Sequence, residues 1–243
     1  MDNNIIGIGI IVVHMPMMYC VMMCGGKGTR LKKTLGSDIE KPLIKLKNKK
    51  LIEYPINVLM QSNKIERIFA AVSGNTQKTR EFIKSNYGSK VTLVETMGRG
   101  YSEDYLKIIK YFKEMENEKR LGAKKILFLP IDIPLFSLDA LTQLIAINQE
   151  KPCLTIVLEK GFVKDMGIVP SSTYEIIIDS KNYCYSGISI IDIKRIDMDI
   201  NNTEGFALME EEYKTLNCVE IACNTNTLED LKTAEKFLSK MCD

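Results

Sequence analysis

Three observations predict an α/β protein built on a mainly parallel, doubly wound sheet flanked by helices. Short apolar runs alternate with amphipathic periods almost from end to end, the pattern of repeated strand–helix units. The run at 126–129 is apolar at every position, as a strand covered on both faces should be. No Pro/Gly/Ser-rich linker divides the 243 residues, so one large domain is the simplest organisation for a chain not far above the usual ~100–200 residues.

The elements follow in order. Residues 19–23 form a short apolar run ending in glycines, read as a buried strand. Residues 51–61 have helical spacing, with Leu51, Ile52, Ile56, Leu59 and Met60 to one side. Pro55 falls in the first turns of that helix, where proline is best tolerated. Residues 67–72 are rich in Ile, Phe and Val and predict the second strand; 76–85 predict a polar helix opened by the Asn75-Thr76 cap signal. A third strand at 91–95 precedes an amphipathic helix at 102–115, with the capping pattern Tyr101-Ser102-Glu103-Asp104. The strand at 126–129 precedes a helix at 137–148, for which Ser137 is a good N-cap. A fifth strand lies at 154–158. Residues 161–191 are less regular, with strand patterns at 175–178 and 183–191 that suggest a small β-ribbon. Residues 218–222 read as one more strand. A closing helix at 227–240 carries Leu228, Leu231, Ala234, Phe237 and Leu238 at helical spacing.

Composition excludes several chemistries. Lysines and arginines number 33 against 31 acids, a formal net charge of +2. Their interspersed signs give no basic arm or stripe for nucleic acid. The lysine-rich run 45–50 reads as a solvated turn. Seven cysteines include no Cys-x-x-Cys pair, and His14 is the single histidine. A histidine-based zinc site, a Ser-His-Asp triad and a Cys-His dyad are therefore not expected. The thiols read as small core hydrophobes in a reducing, cytoplasmic setting. Residues 5–13 are apolar but far short of the ~20 residues a membrane span requires. The absence of Lys or Arg before them fits a secretory signal poorly. Residues 1–16 are accordingly read as an N-terminal extension, possible through an upstream start codon, and 17–243 as the folded domain.

The chemistry concentrates at strand ends, where ligands collect in such sheets. Cys24, Gly25, Gly26, Lys27, Gly28, Thr29 and Arg30 directly follow the first strand. Glycines allow backbone N–H groups to turn toward a phosphate without a side chain between. Lys27 and Arg30 add charge for β- and γ-phosphates, and Lys41, held beside Pro42, is placed for the α-phosphate. The order matches neither a Walker A loop nor the Gly-x-Gly-x-x-Gly fingerprint. Asp132 ends the fourth strand, where a carboxylate can hold Mg²⁺; a cap for the helix near Ser137 is the alternative. Ser73, Asn75 and Thr76 after the second strand could read a purine edge or ribose, or simply make the strand-to-helix turn. Gly98 and Gly100 after the third suggest close backbone approach to a ligand. Glu103 and Asp104 read first as cap residues.

Gly25-Gly26-Lys27-Gly28-Thr29-Arg30-Leu31 followed by Glu40-Lys41-Pro42-Leu43 resembles the signature of sugar-phosphate and cofactor nucleotidyltransferases with a GT-A-like, Rossmann-related fold. With residues 73–79, 98–104 and 226–232, the chain looks more closely like the archaeal GTP:adenosylcobinamide-phosphate guanylyltransferases. The resemblance covers most of 19–140 and the last strand–helix unit. It implies transfer of GMP from GTP to adenosylcobinamide phosphate with pyrophosphate released, as in cobalamin assembly. It also implies Mg²⁺ on Asp132 and, at the junction before the closing helix, on Asn226. For Asn226 a plain N-cap role competes, and Asn224 competes for the metal. Arg30, Lys41 and Asp132 become the catalytic expectation. The expected partners are GTP and the phosphorylated acceptor, with a homodimer left open. Cys24 stands where that family usually has alanine, and residues 160–215 depart from it. A molybdenum-cofactor nucleotidyltransferase and a GTP-binding regulator remain as alternatives.

Overall fold

The computed structural model describes residues 17–36, 38–122, 125–170, 175–196 and 210–241. The extension expected at 1–16 lies outside the described residues. In chain order the elements are β1 (Met18–Met23), α1 (Thr29–Leu35), β2 (Lys45–Leu46), β3 (Lys49–Lys50), α2 (Glu53–Gln61), β4 (Ile65–Val72), α3 (Gln77–Tyr87), β5 (Val91–Glu95), α4 (Tyr101–Asn117), β6 (Lys125–Pro130), α5 (Leu138–Ala146), β7 (Cys153–Glu159), α6 (Lys160–Asp165), β8 (Glu175–Ile178), β9 (Lys181–Asp192), β10 (Glu211–Thr215), α7 (Val219–Ala222) and α8 (Leu228–Lys240).

Strand order in the eight-stranded sheet is β10-β7-β9-β6-β1-β4-β5, with β8 pairing β9. The β1–β4, β1–β6, β4–β5 and β7–β10 ladders are parallel. All three ladders of β9, to β6, β7 and β8, are antiparallel. The sheet is thus mixed and mainly parallel, as the alternating pattern implies. The chain moves from β1 outward to β4 and β5, then returns to place β6 on the other side of β1. That reversal makes the carboxyl ends of β1 and β6 the place where a doubly wound sheet opens a crevice.

The side-chain alternation of the strands separates two apolar layers. Met18, Cys20 and Met22 enter one layer with Leu127 and Leu129, against buried residues of α1, α2, α3, α5 and α8. Tyr19, Val21, Ile126 and Phe128 enter the other, covered by Tyr105, Ile108, Ile109, Phe112 and Met115 of α4. Phe69 and Phe112 meet edge to face, ring centroids 5.0 Å apart, a geometry worth ~0.5–1.5 kcal/mol beyond area burial. The one polar atom of buried Tyr19 is used as well: its hydroxyl accepts the Gly122 N–H at 3.1 Å.

Four expectations change. Residues 218–222 are not a strand. Cys218 instead caps the single helical turn α7, its carbonyl accepting from Ile221 and Ala222. Five residues, Cys-Val-Glu-Ile-Ala, carry too short a period to separate turn from strand. The strand nearby is β10, whose sequence Glu-Glu-Tyr-Lys-Thr alternates no apolar residues and lies on the sheet edge. The β-ribbon is not an appendage: β9 is twelve residues long and fills the sheet between β6 and β7. Asp179 and Ser180, at φ 48° and 64°, make the tight turn from β8 with the left-handed pair that hairpins favour. Finally, α4 begins after Gly100 with no side-chain cap, so the Tyr101–Asp104 capping pattern is not used. The lysine-rich 45–50 run forms the β2–β3 hairpin, with Lys47 at φ 50°.

Candidate active site

Paired strands bring the first two motifs together. Met23 of β1 sits opposite Pro130 of β6, so the glycine loop and Ile131-Asp132 leave the sheet side by side. A third segment joins through the backbone: Thr225 N donates to the Asp132 carbonyl at 2.8 Å. One residue on, Asn226 stands beside Asp132. Its side chain is free for the cleft because Thr227, not Asn226, caps α8; Thr227 and Asp230 close a reciprocal capping box, and the Asn226 N–H also goes to Asp230 at 2.9 Å. The N-cap alternative for Asn226 is thereby removed. Asn224 lines a different depression, near Gly167 and Asp230.

Lys41 supplies the fourth segment. Its ammonium donates to Asp132 Oδ2 in an ion pair with both side chains about 15% exposed, and to Asn226 Oδ1 at 2.8 Å. Arg30 Nη2 reaches the same Asn226 Oδ1 at 3.3 Å. Four segments far apart in sequence therefore converge on one cation-rich point. The glycine loop is shaped to allow it: Gly28 has φ +62°, and a Cβ there would lie 3.4 Å from Lys41 Cβ. Lys41 and Pro42 open a short helical turn closed by Leu43 N–H to Glu40 carbonyl at 2.9 Å.

Around this point is a cleft of about 320 Å³ lined by Cys24, Gly26, Gly28, Thr29, Arg30, Lys41, Asp132, Asn226 and Tyr101, among others. Its volume lies within the range of small-molecule sites. Gly26 is exposed and a Cβ there would meet nothing within 4 Å. Lys27 is exposed and stands outside the lining. Burial pushes the Cys24 thiol well above its ordinary value, so this residue acts at the cleft as a small neutral wall.

The stretches after β4 and β5 are used differently. Ser73 is fully buried; its hydroxyl donates to the Gly25 carbonyl at 2.9 Å and accepts from Asn75 N, while Thr76 closes a capping box with it. Asn75 Nδ2 donates to the Gly98 carbonyl at 2.9 Å. Gly98 has φ +64°, and a Cβ would lie 2.3 Å from Asn75 Nδ2. The Gly98 N–H goes to buried Asp104 Oδ1 at 2.8 Å. Gly25 is equally hemmed in, with Thr96 Oγ1 2.9 Å from its Cβ position. Ser73, Thr76, Gly98 and Asp104 thus form a bracket under the glycine loop, and their hydrogen-bonding groups face one another. Gly100 is exposed beside it, and half-buried Asn75 is tied into it through the Gly98 carbonyl and the Ser73 hydroxyl.

Of the lining residues that sequence reasoning did not place at the site, Tyr101 carries a side-chain polar group. Tyr101 is half exposed, stacks on Tyr105 with centroids 5.7 Å apart, and donates its hydroxyl to the Gly187 carbonyl at 3.2 Å. Gly187 lies at φ +81° where the β7–β9 register shifts, and bulges commonly redirect a strand beside a site. The signal was the aromatic directly after Gly100, which reads equally well as a helix start.

Mg²⁺ can be tested against the donors present. No group of three or more His, Cys, Asp or Glu gathers for a metal among the described residues. Asp132 and Asn226 nevertheless direct two oxygens at one cation, the Lys41 ammonium. Two hard oxygen donors suit Mg²⁺, which keeps waters and shares substrate phosphates rather than demanding a full protein cage.

Comparison with known proteins identifies the family and the fold. Residues 20–177 match the family model described as the MobA-like NTP transferase domain. The chain is 31% identical over 228 residues to an adenosylcobinamide-phosphate guanylyltransferase of Methanocaldococcus jannaschii, covering 92% of this chain and 98% of that one. It is 25% identical to a D-glycero-alpha-D-manno-heptose 1-phosphate guanylyltransferase of Campylobacter jejuni, covering 68% and 78%. Among solved structures, an inositol-1-phosphate CTP transferase from T. maritima shares the fold with TM-score 0.63 at 16% identity, covering 94% of this chain and 97% of that one. Among the described residues no helix is long and apolar enough to cross a membrane.

Proposed function

The chain belongs to the MobA-like NTP transferase domain family, and from that membership we propose that it is a guanylyltransferase moving GMP from GTP to adenosylcobinamide phosphate. The observation that carries the reading is the convergence of Arg30, Lys41, Asp132 and Asn226 at the end of the glycine loop. The base and acceptor are supported by the name of the relative that spans nearly the whole chain. Both curated relatives described above are guanylyltransferases. The reaction would take place in the cytoplasm.

Transfer proceeds by in-line attack of an acceptor phosphate oxygen on the α-phosphorus of GTP. One P–O bond forms to the acceptor, the bond to the β-phosphate bridging oxygen breaks, and pyrophosphate leaves with that electron pair. The acceptor oxygen is already ionised, so positioning and charge neutralisation outweigh base catalysis. Gly26 and Gly28 let the loop backbone approach the phosphates. Arg30, with Lys27 at the mouth, neutralises the departing pyrophosphate. Lys41 neutralises charge gathering at the α-phosphate. Asp132 and Asn226 would hold Mg²⁺, which supplies further charge neutralisation on the phosphate oxygens. The bracket of Ser73, Thr76, Gly98 and Asp104, tied in by Asn75, holds the loop from beneath, and Asn75 and Gly100 beside it would lie toward the guanine or ribose.

A pyrophosphate-release assay with each of the four NTPs, with and without cobinamide phosphate, tests this. Release should require GTP, Mg²⁺ and the phosphorylated acceptor together. Equal rates with all four NTPs, or release unaffected by cobinamide phosphate, would overturn the base or the acceptor assignment respectively. A molybdenum-cofactor acceptor serves as the contrasting arm.

A further inference from the structure

Glu40 precedes Lys41 and takes no part in the cleft itself. Its carboxylate reaches instead across 38 to 39 residues to the first turn of α3. Oε1 accepts the Lys78 N–H at 2.9 Å; Oε2 accepts both the Thr79 N–H and the Thr79 hydroxyl, each at 2.6 Å. Lys78 Nζ adds a bond to the Asp38 carbonyl at 3.2 Å. An ionised carboxylate on helix-terminal amides makes charge-assisted bonds, shorter and stronger than neutral ones.

The consequence falls on Lys41. Downstream, its backbone is fixed by the Leu43-to-Glu40 turn bond and by Ile52 N–H to the Pro42 carbonyl at 3.0 Å. Upstream, Asp38 is exposed and Ile39 half-buried, and the bonds that tie this side to α3 are those of the Glu40 carboxylate and the Asp38 carbonyl. The lysine stem also leans on Gly28, whose missing Cβ leaves it room. Releasing Glu40 would let the Lys41 backbone swing while the glycine loop stayed in place.

We propose that Glu40 is a positioning residue for Lys41: by seating its carboxylate on the N-terminus of α3 it holds the Lys41 ammonium at Asp132, Asn226 and the reacting phosphate. This rests on the role given to Lys41 above. A lysine held this way acts in the transition state more than in ground-state binding.

The test uses Glu40→Ala and Glu40→Gln, Lys41→Ala and the Glu40→Ala/Lys41→Ala double variant of the full chain. Glu40→Ala should lower kcat by roughly tenfold to a hundredfold with GTP affinity within about twofold, and Glu40→Gln should fall between it and the native chain. The double variant should be no slower than Lys41→Ala alone, because two residues acting through one group are not additive. A second readout needs no turnover: the rate at which an amine-acylating reagent modifies Lys41, followed by mass spectrometry with exposed Lys27 as the internal reference. Lys41 modification should rise severalfold in both Glu40 variants while Lys27 stays constant. Additive losses in the double variant, or unchanged Lys41 modification, overturn the proposal. If the native chain transfers no guanylyl group, the reaction assignment fails, and the modification ratio still decides the role of Glu40.

Discussion

The loop after β1 and the loops after β4 and β5 are all glycine-bearing, yet their glycines answer to different neighbours. At Gly26 an added Cβ meets open space, so the protein itself does not need glycine there. At Gly98 the same atom would sit 2.3 Å from Asn75 Nδ2 and 2.5 Å from Ser73 Oγ, at φ +64°. Gly98 is demanded by packing and backbone conformation; at Gly26 neither demand is present. In the sequence the two look alike. The structure separates a loop open to the cleft from a bracket that faces the loop, with Gly25 as the residue where they touch. Substitutions in the first should damage function and spare stability; substitutions in the second should do the reverse.

The largest functional effect belongs to Asp132, to which Lys41 is paired. Asp132→Asn should cut turnover in Mg²⁺ on the order of a thousandfold, the upper range for loss of one transition-state electrostatic contact. The thermal midpoint should stay near that of the native chain. Native turnover in the variant, or full native activity in EDTA, would remove Asp132 and the metal from the mechanism. Next comes Lys41→Ala. It should lower kcat about a hundred- to a thousandfold, equivalent to ~2.7–4 kcal/mol, with only a modest change in GTP affinity by calorimetry. Lost GTP affinity with kcat preserved would make Lys41 a ground-state binding residue instead.

The bracket should behave in the opposite way. Gly98→Ala places a side chain at positive φ and inside contact distance of two polar atoms. Strain and overpacking together should cost roughly 2–3 kcal/mol of stability, read as a lower urea midpoint with unchanged slope. The folded fraction should retain most of its kcat. A variant of native stability that has lost GTP affinity would move Gly98 from the bracket to the ligand side.

How much of this was legible beforehand follows from what each residue needs. β1, β6 and the 68–72 half of β4 are buried between helices, and their unbroken apolar runs say so; β5, at the edge, shows only Val91 and Val94 buried beside exposed Thr92 and Glu95. The glycine loop, Lys41 and Asp132 stand at strand ends in a spacing that phosphate chemistry explains. β10 was invisible because a charged edge strand has no inner face to pattern. α7 was misread because a segment as short as Cys-Val-Glu-Ile-Ala fits either element. Asn226 was ambiguous because amides cap helices well; only the Thr227–Asp230 box shows the cap is taken. Ser73 and Gly98 were expected at a ligand, since neither residue type reveals whether its partner is a substrate or another loop. Glu40 gave no sign of its anchor, because its partners lie in a helix nearly forty residues away.

The smallest and sharpest effect is at Gly26. It is exposed, its backbone is outside the left-handed region, and nothing lies within 4 Å of an added methyl group. An exposed substitution free of strain usually changes stability by no more than ~0.5 kcal/mol, so Gly26→Ala should fold and melt like the native chain. A nucleotide phosphate drawn against the loop backbone would meet the methyl group, however. GTP affinity should therefore fall about tenfold, a loss of ~1.4 kcal/mol, with kcat at saturating GTP much less affected because the displaced contact is present before reaction begins. Calorimetric GTP titration beside a thermal melt measures both quantities on one preparation. Unchanged GTP affinity would mean that the nucleotide does not approach this glycine, and the loop after β1 would lose its distinction from the bracket beneath it.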